Sequence, residues 1–170
     1  YRFIMKYLFL ILIFLVAVYF FTVLNFYDNG WQYVQPFLVA TLLVYYNISN
    51  HWIYYAFAFL AGLFVDSFTG VFGLHTIIFL FIIFILRSLQ LTLLTSKNIL
   101  TIILLTILAF VIFWLLFYSA NFMFSWEMYT WQQSMLLPIF KMFIVNITAV
   151  IFFHLLYFNL HTKKYERQSF

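Results

Sequence analysis

Long uninterrupted apolar runs constrain this chain more than any motif in it. From Tyr7 to about Phe26 no charged residue intervenes, a length that crosses the roughly 30 Å hydrocarbon core of a bilayer as a helix. Comparable runs recur to the C-terminal region. Only 7% of the 170 residues are charged and 68% are apolar, against about 25% charged in an ordinary soluble domain, so a soluble fold is excluded. Six crossings of about 20 residues each leave only short loops and tails, and no second domain fits. The chain has no cysteine. That removes a disulfide framework, a thiol nucleophile and any cysteine-ligated zinc or iron–sulfur site.

The expected architecture is an all-α membrane domain spanning 1–170, with crossings near 7–26, 35–46, 52–66, 74–94, 99–120 and 133–160. Arg2 and Lys6 precede the first, which lacks a small-residue cleavage site and reads as a retained signal anchor. Pro36 is placed to open the second, because a first helical turn tolerates the missing N–H. The second and third runs are short for a full crossing. The second must therefore be thinly exposed to lipid, be extended by residues 31–35, or be shielded by its neighbours. Trp126, Tyr129 and Trp131 fit an interfacial aromatic belt.

The net charge of +4 is informative by position, since the cations are scattered singly between apolar spans and form no nucleic-acid stripe. On six crossings, Arg2, Lys6, Arg87, Lys97, Lys163, Lys164 and Arg167 fall toward one side, and Asp28, Asp66 and Glu127 toward the other. Lys141 and Glu166 do not sort. Both termini are then expected in the cytoplasm. Five crossings follow instead if the two short segments make a hairpin that never reaches the far surface.

Polar groups inside a bilayer are costly, so their positions matter, and the richest stretch runs from Ala58 to His75. Ala58, Gly62, Asp66 and Gly70 recur every four residues. The first three line one stripe of the third helix and permit close approach of another backbone. Gly70 and Gly73 allow dihedrals that suit a tight return into the fourth helix. Asp66 has two readings: a cap accepting from the unpaired N–H groups near Leu74 and His75, or a contact for an ion, a proton or a partner. His75 reads as a hydrogen-bonded interior histidine. Lys141 needs to snorkel or to pair with an acid, and Asp66 is the candidate. Arg87 reads as an anchor at the cytoplasmic headgroups. Asn25, Asn146 and His154 read as interhelical hydrogen-bonding groups. No metal-binding, nucleophile-elbow or phosphate-loop motif is present, so no enzyme, metal or cofactor is expected.

Pro36, then Gly62-Leu63-Phe64-Val65-Asp66-Ser67-Phe68-Thr69-Gly70-Val71-Phe72-Gly73-Leu74-His75, then Leu86-Arg87 resemble the MreD family of rod shape-determining membrane proteins, in its Bacteroidota-like branch. The most specific part is Gly-x-x-x-Asp followed by Gly-Leu-His. The family usually has proline after the arginine matching Arg87, where this chain has Ser88. The resemblance implies a non-catalytic scaffold of the bacterial inner membrane that binds MreC and sits with MreB, RodA and a penicillin-binding transpeptidase in peptidoglycan synthesis. It also implies a fold like the substrate-binding subunits of energy-coupling-factor vitamin transporters, which supplies the alternative function. On the scaffold reading, a groove on the third and fourth helices, centred on Gly62, receives a partner's transmembrane helix and the Asp66–Gly73 turn orients that partner at the outer surface.

Overall fold

The computed structural model describes residues 2–24, 34–71, 73–92, 99–124 and 136–166, and among these every regular element is a helix. In chain order α1 is Arg2–Leu24, α2 Pro36–Asn47, α3 His51–Thr69, α4 Leu74–Thr92, α5 Ile99–Phe124 and α6 Leu136–Glu166. The expected belt residues Trp126, Tyr129 and Trp131, and Asn25, lie outside the described residues.

Side-chain contacts set the direction of each helix. Phe14 of α1 meets Phe57 and Phe64 of α3, and Phe21 meets Phe68, so α1 and α3 run parallel. Phe21 also meets Phe37 at the start of α2, while Tyr45 near its end meets Tyr54 near the start of α3. Asp66 bonds to His75 across the α3–α4 turn. His75 touches Phe117 near the end of α5, whereas Thr106, near its start, bonds to Tyr46 of α2. In α6, Asn146 accepts from Gln35 and His154 lies against Tyr46. The bundle therefore alternates in direction from helix to helix. Phe9 and Tyr157, with ring centroids 4.4 Å apart, bring the start of α1 and the end of α6 to the same end.

Five helices, α1 and α3 to α6, are long and apolar enough to cross a membrane; α2 is a shorter apolar helix. Its 12 residues rise about 18 Å, well short of a hydrocarbon core. Every residue from Pro36 to Tyr45 is buried. The shielded option is the one realised, and it explains why α2 is apolar all round with no lipid-facing stripe. Pro36 occupies the first turn as expected, and the Asn146 side chain accepts from the Gln35 N–H at 3.1 Å. Phe37, Leu38, Leu42 and Val44 of α2 form the middle of the core with Phe79, Ile82 and Leu86 of α4 and Phe110 and Phe113 of α5. The outer surface is apolar too: Leu15 of α1 is 61% exposed and Phe84 of α4 is also 61% exposed.

The third helix is longer than expected, at 19 residues. It runs past Asp66 because the Asp66 carbonyl still accepts from the Gly70 N–H at 3.2 Å, and Gly70, left-handed at φ 74, ends it.

Candidate functional site

The site begins with a glycine that no other residue could replace without movement. Gly62 lies on the buried face of α3, and a Cβ there would overlap the Thr76 backbone. This close approach brings the first turn of α4 directly beneath the next turn of α3, where Asp66 projects. Ala58, Ala61 and Asp66 on the same side are at most 1% exposed.

Asp66 then caps α4 from outside that helix. Its Oδ1 accepts from the His75 N–H at 2.8 Å and from His75 Nδ1 at 2.9 Å. Its Oδ2 accepts from the Gly73 N–H at 3.1 Å, the Thr76 N–H at 3.1 Å and the Thr76 hydroxyl at 2.7 Å. These N–H groups are among the orphan donors that every helix start leaves, and the positive end of the helix dipole favours the carboxylate. An ionised carboxylate offers only acceptors, so Nδ1 carries the proton in this arrangement. Phe79, Phe113 and Phe117 surround the His75 ring, with Phe117 nearest at a centroid separation of 5.6 Å.

The turn between α3 and α4 depends on two glycines for a different reason. Gly70 and Gly73 have φ of 74° and 91°, a region that costs other residues roughly 1–2 kcal/mol. Neither would meet a neighbouring atom through an added Cβ, so conformation and not space selects glycine.

Asp66, Gly73 and His75 are thus brought together by hydrogen bonds, with Gly62 fixing the separation and Gly70 shaping the turn. The capping reading of Asp66 is the arrangement observed. Two expectations are corrected. The groove centred on Gly62 is not open to a partner helix, because the chain's own α4 fills it through His75 and Thr76. The pair between Asp66 and Lys141 does not form: Lys141 is exposed on α6, and the side chains that Asp66 bonds are those of His75 and Thr76. The reason is packing order. The contacts that hold α6 come from α1, α2 and α5, as in Phe9–Tyr157, Gln35–Asn146 and Phe110–Phe143, while Asp66 faces α4. Lys141 instead has the outward position that snorkelling requires.

Arg87 is half-buried toward the end of α4, at the opposite end of that helix from His75. Thr76 is the member of the clasp that the sequence reading omits. Its position three residues past Gly73 is the signal, because a hydroxyl in the first turn of a helix can join a capping carboxylate. The second missed contact is Tyr45 with Gln90, described below. Among the described residues no three histidines or acids converge to hold a metal ion. A carboxylate that accepts five bonds has no further lone pair to offer; chemically, the cluster holds two helices together.

No protein-family model, curated protein or solved structure matches the chain. What the fold defines is a class, an all-helical protein with the helix lengths and apolarity of a multi-pass membrane protein.

Proposed function

We propose that the chain is a non-catalytic integral membrane component of the bacterial elongation complex, an MreD-like scaffold that binds MreC in the inner membrane. It would support cell shape and lateral peptidoglycan synthesis in company with MreB, RodA and a penicillin-binding transpeptidase. In this reading all six helices cross the bilayer, both termini are cytoplasmic and the fold is of the vitamin-transporter S-component kind.

The observation that carries the proposal is the use made of Asp66. The most specific stretch of the resemblance, Gly62 to His75, folds into a clasp in which the costly acid accepts five bonds from its own chain. Other buried polar groups follow the same economy: Thr41 donates to Phe37 O, Thr106 to Ile102 O, and Asn146 accepts from Gln35. Such groups rigidify an interior; a solute site instead needs polar groups left free to converge on a ligand. Because α4 occupies the Gly62 stripe, MreC would meet an outward face of the bundle.

The test is affinity capture of the tagged chain from native bacterial membranes, with mass spectrometry of both proteins and small molecules. Enrichment of MreC without a stoichiometric metabolite is the expected result. A retained vitamin with no MreC would overturn the scaffold reading in favour of a transporter subunit.

A further inference from the structure

At the opposite end of the bundle from the Asp66 clasp, the last turns of α2 and α4 and the first turn of α3 bring Tyr45, Tyr54, Arg87 and Gln90 together. The Tyr45 hydroxyl donates to Gln90 Oε1 at 2.6 Å. Its ring packs edge-on against Tyr54, with centroids 5.1 Å apart. Arg87 lies three residues before Gln90, on the same helix face.

Every group left over in this cluster can donate. With Oε1 engaged, Gln90 presents its NH2. The Tyr54 ring is buried but its hydroxyl reaches the surface, where it makes no hydrogen bond with another described residue. Among the described residues Arg87 makes no ion pair with a carboxylate. The sequence offers little else. Asp28 and Glu127 belong to the segments joining α1 to α2 and α5 to α6, and Glu166 stands among Lys163, Lys164 and Arg167.

We propose that Arg87, Gln90 and Tyr54 form a binding site for the phosphate of an anionic phospholipid headgroup. A guanidinium grips phosphate through two parallel N–H bonds, and the neutral amide and phenol add donors without adding a competing charge. The positive charge of Arg87 disfavours an amine or a metal cation as ligand. The neighbours of Arg87 on its own face choose lipid over soluble phosphate. Phe84 and Leu91, three residues before and four after it, are 61% and 70% exposed and lie where the acyl chains of the same lipid would run. This site requires only that the chain sits in a bilayer, and it stands or falls separately from the MreC reading.

The test is native mass spectrometry of the detergent-purified chain with phosphatidylglycerol, phosphatidylcholine, or soluble glycerol phosphate as probe. The wild type should retain phosphatidylglycerol over phosphatidylcholine. Arg87→Gln should lower that retention about tenfold and Tyr54→Phe about threefold, the scale of a charged and a neutral hydrogen bond. Arg87→Lys should fall between wild type and Arg87→Gln. Tyr54→Phe removes only a hydroxyl, so it keeps the test alive if Arg87→Gln fails to fold. Wild-type retention in both Arg87→Gln and Tyr54→Phe would overturn the proposal. So would displacement of the lipid by glycerol phosphate, which would make the ligand a free phosphate.

Discussion

Asp66 satisfies more donors than any amide could. In Asp66→Asn one oxygen becomes an NH2 that faces the N–H groups of the α4 start, leaving buried donors opposed by donors. The expected loss is roughly 2–4 kcal/mol of stability, the range for uncovering buried polar groups around a charge, measured by thermal unfolding in detergent. Gly62→Ala tests the second requirement, since its Cβ would overlap backbone that has no soft side chain to move. It should cost about 1–3 kcal/mol, as overpacking does, and an unchanged melting temperature would show that α3 and α4 are not in close contact. The sequence announces the acid, the glycines and the helix start at Leu74 within one short stretch, so the local part of the clasp can be read from spacing. A pair between Lys141 and Asp66 is ruled out by which helix packs on which, a long-range property that local spacing does not carry. Thr76 escapes a local reading because a threonine in an apolar helix looks ordinary until the acid ten positions earlier is folded over it.

At the scale of the helix, α2 and α1 make a contrast that can be measured. Leu42 of α2 is fully buried and Leu15 of α1 is 61% exposed. Leu42→Ala should cost about 2–5 kcal/mol by leaving a cavity. Leu15→Ala should be near neutral, because lipid tails replace the lost contacts. Equal effects in detergent unfolding would mean that α2 is not the interior helix. The shortness of this segment pointed to shielding, and its all-round apolarity agrees, yet nothing local specified that α1, α3, α4 and α6 supply the cover. Helix starts were easier to locate than helix ends. Pro36 sits in the first turn of α2 and Asn50 caps α3 by accepting from the Trp52 N–H, but the end of α3 depends on the geometry of Gly70 and not on where apolar residues stop.

For the whole molecule, alternation of helix direction makes a topological prediction, and the absence of cysteine gives a labelling experiment no background. Ser49, Thr69 and Thr92 are exposed at the ends of α2, α3 and α4. With both termini in the cytoplasm, as proposed, a membrane-impermeant maleimide should label Thr69→Cys in intact cells, whereas Ser49→Cys and Thr92→Cys should react only after permeabilisation. Labelling of Ser49→Cys together with Thr69→Cys would place α2 in a hairpin that fails to cross. The helical class followed from composition alone. The order of packing did not, because apolar surface faces both the core and the lipid in such a chain and hydropathy cannot tell the two apart.

The central claim is that Asp66 is committed to holding α3 against α4, and a double-mutant cycle between Asp66→Ala and Thr76→Val, read by unfolding in detergent, tests it most directly. Their hydroxyl–carboxylate bond is 2.7 Å long, so the two changes should be non-additive, with a coupling of about 1–3 kcal/mol. Strictly additive effects, or an Asp66→Ala protein that unfolds like the wild type, would contradict the account and return this carboxylate to the groups available for a ligand or a partner.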